Sequence, residues 1–203
     1  IIKKLQKEFG ATNVLVLDDV PELDVISSGI PSLDYATGIG GFPRRLITEI
    51  YGPEHVGKSV LAFRAAAEAQ KQGLTVALIS TEGIPDTEWA EIQGVNPKEL
   101  ITLFSFTAEE MLEQAKTVSE SEEIDLMIID SLAALGTAKE VSEGGPKQAY
   151  GISGIISHMM HAILPNCWKT NKACLLFNQV RDVANHQGLP LLKSPGGHAL
   201  HHG

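Results

Sequence analysis

Long hydrophobic runs are missing from this chain. No stretch approaches the roughly 18 consecutive apolar residues of a membrane-crossing helix, so no span and no membrane partner are expected. No basic start leads into an apolar stretch, so no secretory signal is expected and the reading is cytoplasmic. Cysteine is scarce: Cys167 and Cys174 are the two, outside any CxxC spacing, and both are expected to be buried, reduced thiols. Positive charge is in deficit, with 16 Lys and Arg against 25 Asp and Glu and a formal net charge of −9. Global attraction to nucleic acid is thereby excluded, and any such binding must be local. The carboxylates cluster in AEEMLE (108–113) and SESEE (119–123), expected to be solvated helix faces. There is no internal repeat and no low-complexity tract. An initial Met is also absent, and HALHHG ends without a terminating element, so an excerpt of a longer protein is expected.

What is present describes one globular domain with ample material for a core: 43% hydrophobic residues, 20% charged, and a near-neutral mean hydropathy. IIKKLQKEFG has the spacing of a short amphipathic helix stopped by glycine, and NVLVL (13–17) reads as a strand. Residues 23–45 form a turn-rich approach, with SLDYAT a helical turn and GIGGFP a loop. Strands are expected at LITEIY (46–51), LTVALIS (74–80), ITLFSF (101–106), DLMIID (125–130) and ACLLFNQ (173–179). Helices are expected from Lys58 to Gln72, around 86–93, over 107–120 and over 157–171, with Pro165 kinking or ending the last. Strands alternating with helices predict an α/β fold, a mostly parallel twisted sheet with helices on both faces.

The stretch GPEHVGKS carries the chemistry. Gly52, Pro53, Glu54, His55, Val56, Gly57, Lys58 and Ser59 fit G-x-x-x-x-G-K-[ST] between a predicted strand and a predicted helix. Glycines let backbone N–H groups turn inward around phosphate oxygens, and the helix start adds partial positive charge. Lys58 reaches the β- and γ-phosphates in such a loop, and the Ser59 hydroxyl ligates Mg²⁺. A second Mg²⁺ contact usually comes from a carboxylate at a neighbouring strand end, and Asp130, closing LMIID, is the natural candidate. Hydrolysis needs a group to orient or deprotonate water. Glu82, just beyond LTVALIS, is favoured, with Asp86 and Glu88 as close competitors. Gln179, ending ACLLFNQ, can reach the same edge and sense the γ-phosphate.

ISSGIPSLDYATGIGGFPRRLITEIYGPEHVGKS closely resembles the approach and P-loop of bacterial and phage RecA-type recombinases. The resemblance continues in the family's order through TEGIPD, LMIIDSLAAL, LLFNQVR and PGGHAL, over essentially the whole chain. It implies a RecA-like P-loop ATPase core over 33–203 and an amino-terminal polymerisation arm and linker over 1–32. It implies Glu82 as catalytic base, Asp130 as the Mg²⁺ carboxylate, and Gln179 as the coupler of the γ-phosphate to a DNA-binding loop. It places Asp86 and Trp89 beside the adenine of ATP. Segments 140–154 and 180–197 become DNA-binding loops, with Lys147, Gly151, Arg181, Lys193, Gly196 and Gly197 as the residues that hold a strand. The implied function is an ATP- and Mg²⁺-dependent recombinase, a DNA-dependent ATPase that forms helical homo-oligomeric filaments on single-stranded DNA. Duplex DNA enters during strand exchange in homologous recombination and DNA repair. An accessory ATPase or motor paralogue without strand exchange is the alternative, and a module that senses ATP without turning it over is a third class.

The chain departs from the family's pattern on the DNA side. ISGIISHMMHA has no arginine where basic residues are usual, His201-His202 replace a lysine-phenylalanine pair, and His198 stands where asparagine is usual. These changes fall on strand binding and one subunit contact, and they spare the ATP site. His198, His201 and His202 lie close together, and His158 and His161 are at helical spacing. No carboxylate or thiol completes a metal set among them.

Overall fold

The computed structural model describes residues 1–11, 14–16, 18, 22–132, 135–138, 149–179, 181–184 and 190–193, of which 149–153, 181–184 and 190–193 are described by their backbone. Five strands, β3 (Ile47–Gly52), β4 (Val76–Ser80), β5 (Leu100–Phe104), β6 (Leu126–Asp130) and β7 (Ala173–Gln179), form one sheet in the order β3-β7-β6-β4-β5. Every pairing in it is parallel, as the alternation of elements predicts. All five carboxyl ends therefore lie along one edge. VALIS is buried throughout and LMIID nearly so, the pattern of central strands covered on both faces.

Two helical layers supply that cover. On one face lies α3 (Lys58–Lys71), whose Ala62, Ala65, Ala66, Ala67 and Ala69 are all buried. Small side chains let this helix approach Leu78, Ile128, Leu175 and Phe177 closely, and alanine also carries the highest helix propensity. On the other face α5 (Ala108–Glu120) and α6 (Ala149–Thr170) bury Met111, Ala115, Ile156, Met159 and Ile163 against Ala77, Ile79, Met127, Ile129 and Leu176. A reciprocal capping box, Thr107 with Glu110, starts α5. Cys167 and Cys174 are free and buried, as expected.

A two-stranded ribbon, β1 (Val25–Ile26) with β2 (Phe42–Pro43), brackets α2 (Pro31–Thr37) and inserts Ile26 and Phe42 into the α3-side core. This ribbon departs from the expected loop reading of GIGGFP. It needs Gly41: a Cβ there would lie 2.3 Å from the Ile26 carbonyl oxygen.

The amino-terminal helix is present as α1 (Ile2–Phe9), with no residue buried. The strand expected at NVLVL is not: residues 14–16 are outside any strand, with Leu15 43% and Val16 44% exposed. Pro165 does not end its helix, because α6 runs through it to Thr170. His161 and Pro165 both sit on the exposed side, where water can serve the carbonyl that lacks its amide partner. The same helix begins at Ala149, so 149–154 is helical rather than loop. Segment 180–197 contains an antiparallel hairpin, β8 (Arg181–Ala184) with β9 (Pro190–Lys193), where a loop was expected. The remaining connection, α4 (Thr87–Ile92), follows β4.

Candidate functional site

The candidate site is built by strand ends. Gly52, last residue of β3, pairs in register with Gln179, last of β7, while Asp130, last of β6, pairs with Ser80, last of β4. Glu82 follows two residues later. The parallel registers thus bring residues remote in sequence to one edge, the usual ligand edge of an open α/β sheet.

Between β3 and α3 the chain wraps into the glycine-containing loop GPEHVGKS. His55 and Gly57 have positive φ, 58° and 94°. At Gly57 an added Cβ meets nothing within 4 Å, so it is the left-handed backbone that calls for glycine there. Gly57 also precedes α3 without supplying a side-chain cap, which leaves the first N–H groups of the helix for an anion. Lys58 Nζ donates to the Pro53 carbonyl at 2.6 Å and to that of Gly52 at 3.2 Å. The ammonium is thus folded over the loop that it serves.

A cavity of about 460 Å³ opens here, lined by Glu54, His55, Gly57, Lys58, Ser59, Val60, Glu82, Asp130 and Gln179. Asp130 and Ser59 line this cavity together. Burial pushes the Asp130 carboxyl upward; the Ser59 hydroxyl opposes this, the neighbouring Glu82 charge adds to it, and Lys58 pulls it back. A half-buried carboxylate beside a hydroxyl, and disfavoured as an anion, is a donor set that fits a hard divalent cation such as Mg²⁺. Among the described residues, no group of three or more His, Cys, Asp and Glu is placed to hold a metal ion without other donors.

Glu82 Oε1 accepts the Ser131 hydroxyl at 3.1 Å and lies 3.5 Å from Gln179 Nε2. Its competitors are placed differently. Asp86 caps α4, accepting the Trp89 N–H at 3.0 Å, and Glu88 is exposed on the first turn. Neither lines this first cavity.

A second cavity of about 220 Å³ adjoins the first, sharing Ser59, Glu82 and Asp130 and adding Phe63, Leu78, Ile84, Pro85, Asp86 and Trp89. Trp89 is 43% exposed, so an aromatic surface is available at its wall.

The structure thus gathers Lys58, Ser59, Glu82, Asp130 and Gln179 at one cavity and Asp86 with Trp89 at the next. Gly52, Pro53 and Val56 belong to the loop without lining the first cavity. Gly151 lies in the first turns of α6, and Arg181 and Lys193 are Cα partners across the hairpin. Lys147, Gly196, Gly197 and the histidines at 198, 201 and 202 lie outside the described residues.

Sequence reasoning assigned no role to Ser131, Thr81, Asn178 or Glu49. The Thr81 hydroxyl donates to the Ser131 carbonyl (2.6 Å) and accepts the Ser131 N–H (3.0 Å), locking the ends of β4 and β6 together. Asn178 Nδ2 donates to Glu49 at 2.9 Å, and Asn178 Oδ1 accepts the Gln179 N–H at 2.9 Å. For Ser131, Thr81 and Asn178 the only signal in sequence is adjacency to Asp130, Glu82 and Gln179; Glu49 carries none.

The family model described as the RecA N-terminal domain matches residues 1–202. The chain is 37% identical over 203 residues to "Protein RecA" of Thermus aquaticus, covering 98% of this chain and 59% of that protein. It is 37% identical over 183 residues to "Protein RecA" of Ectopseudomonas oleovorans, covering 89% and 53%. With "Protein RecA" of Acholeplasma laidlawii the identity is 35% over 202 residues, covering 98% and 61%. The chain therefore spans between about half and three-fifths of the length of these relatives.

Proposed function

This chain belongs to the RecA family, and from that premise we propose that it is the ATPase core of a recombinase that forms filaments on single-stranded DNA. The observation that carries the reading is the convergence of Lys58, Ser59, Asp130, Glu82 and Gln179 on one cavity at the carboxyl edge of the sheet.

In this reading Lys58 exchanges its two carbonyl partners for β- and γ-phosphate oxygens, while the N–H groups opening α3 cradle the triphosphate. Ser59 and Asp130 would hold Mg²⁺, which would supply neutralisation of charge on the phosphate oxygens. Glu82 takes a proton from the water whose oxygen attacks the γ-phosphorus, and ADP departs with the bridging oxygen. Asp86 and Trp89 flank adenine in the adjoining cavity.

Gln179 ends β7, and β8 begins at residue 181, so a shift of Gln179 toward a γ-phosphate acts directly on the hairpin. Lys147, Gly151, Arg181, Lys193, Gly196 and Gly197 hold single-stranded DNA, and duplex DNA during exchange, through backbone and charge without reading sequence. Residues 1–32 serve as arm and linker and 33–203 as ATPase core. The exposed apolar positions of α1 support docking on a neighbouring copy in a cytoplasmic homo-oligomer.

The test is the ATP hydrolysis rate of the full-length protein with and without single-stranded DNA. Stimulation by DNA is expected. Hydrolysis indifferent to DNA, with no nucleotide-dependent binding at low salt, would replace this reading by an accessory ATPase or motor paralogue.

A further inference from the structure

Glu82 can act on a water only if its carboxylate is held still, and the residue best placed to hold it lies on another strand. Ser131 follows Asp130 at the end of β6 and is 1% exposed. Its backbone is fixed by the reciprocal pair of hydrogen bonds with the Thr81 hydroxyl, and the Thr81 N–H donates to the Asp130 carbonyl at 2.9 Å. Thr81 is thereby stitched to residues 130 and 131, and Glu82 follows it directly in the chain. The Ser131 hydroxyl donates to Glu82 Oε1 from this fixed frame.

Two donors address that same oxygen, and they differ in kind. Gln179 Nε2 is 3.5 Å away, at the outer limit of a hydrogen bond, at the end of a flexible side chain. If Gln179 turns to a γ-phosphate, its hold on Glu82 is lost. Ser131 is held by its two backbone bonds to the Thr81 hydroxyl whichever way the Gln179 side chain turns. With Oε1 engaged, Oε2 is the oxygen available to a water.

We propose that Ser131 is a positioning residue for hydrolysis, its hydroxyl orienting the Glu82 carboxylate toward the attacking water throughout the cycle. The proposal rests on the reading of Glu82 as the base. It makes no contact between Ser131 and nucleotide, so ground-state binding is not its business.

The test is a double-mutant cycle on the full-length protein with single-stranded DNA, combining Ser131→Ala with Glu82→Gln. Ser131→Ala deletes a hydroxyl and leaves both backbone bonds to Thr81 available. It is expected to lower kcat by about 10- to 100-fold, the scale of a misoriented catalytic group, with KM for ATP changed less than about two-fold. Ser131→Thr, which restores a hydroxyl, should recover most of the rate. In the Glu82→Gln background the loss from Ser131→Ala should shrink to less than about two-fold, since the group it positions is gone. Single-turnover hydrolysis of labelled ATP at high protein concentration reads the slow variants. Ser131→Cys, close in shape and a weak donor, carries the same test if Ser131→Ala does not fold. Equal losses in both backgrounds, or a KM increase without a kcat loss, would overturn the proposal while leaving Glu82 as base. Full turnover in Glu82→Gln alone would instead overturn the base reading, and the present one with it.

Discussion

Asp86 carries two duties that substitution can separate. It caps α4 through the Trp89 N–H at 3.0 Å, and it lines the cavity proposed for adenine. The helix runs only from Thr87 to Ile92 and buries only Ala90, so packing contributes little to it and its order leans on the cap. Replacing an aspartate cap by alanine costs about 1 kcal/mol. Spent on ordering α4 when ATP binds, that is roughly a five-fold weakening. A hydrogen bond from Asp86 to the base is worth a further ~0.5–1.5 kcal/mol, so Asp86→Ala should weaken ATP binding by about 10- to 70-fold in all. Asp86→Ser keeps a good cap on a side chain too short for the base, and should recover the cap's five-fold share. Calorimetric titration with a slowly hydrolysed ATP analogue measures both. Trp89 fluorescence in a Trp168→Phe background reports the order of α4. Wild-type affinity in both variants would remove Asp86 and Trp89 from the nucleotide site, and equal loss in both would show that the cap contributes nothing to binding.

Two further outcomes follow from burial. Because burial raises the Asp130 carboxyl above its ordinary 3.8, the folded protein holds that proton after the unfolded chain has released it, and stability falls as pH rises through this window. Without metal or nucleotide, Asp130→Asn should therefore gain on wild type as pH climbs above the ordinary carboxylate range; a pH-independent difference in urea midpoints would refute this. Since α1 buries none of its residues and 14–16 are strandless, deleting residues 1–17 should leave a folded core that no longer assembles and hydrolyses poorly. Unchanged light scattering by filaments would refute the arm assignment.

The central strands were legible because burial on both faces imposes an apolar run with few alternatives, as in VALIS and LMIID. The phosphate loop was legible because its backbone demands glycine at fixed spacing. NVLVL has the same local pattern and fails, since a strand needs a pairing partner and none lies beside residues 14–16 within the described chain. The hairpin was missed for the opposite reason. RDVA and PLLK are short and border Gly- and Pro-containing sequence, yet Pro190 is tolerated as the first residue of its strand. Ser131 could not be read at all. Its partners Thr81 and Glu82 lie 50 and 49 residues away, and only the β4–β6 register brings them together.

That hairpin also sharpens what is expected of DNA binding. Arg181 and Lys193 are opposed in register on an antiparallel pair, so the backbone sets two basic residues across from one another. A phosphate backbone is an anion that two basic residues suit, and Arg181 lies just beyond Gln179 in the chain. Each phosphate neutralised on a single strand contributes about −0.7 to the slope of log K against log salt. Replacing both residues by alanine should weaken single-strand binding and flatten that slope by roughly one unit or slightly more. ATP should tighten binding in the wild type, and linkage then requires single-stranded DNA to tighten ATP by the same factor. Gln179→Ala should abolish both effects together while leaving the salt slope, because the phosphate contacts remain and only their coupling to nucleotide is cut. Fluorescence anisotropy of a labelled oligonucleotide over a salt series, with ATP or ADP present, measures all three quantities. A slope unchanged by the double substitution would remove the hairpin from the DNA interface. A Gln179→Ala protein that still answered ATP would remove the sheet edge as the route between the two sites.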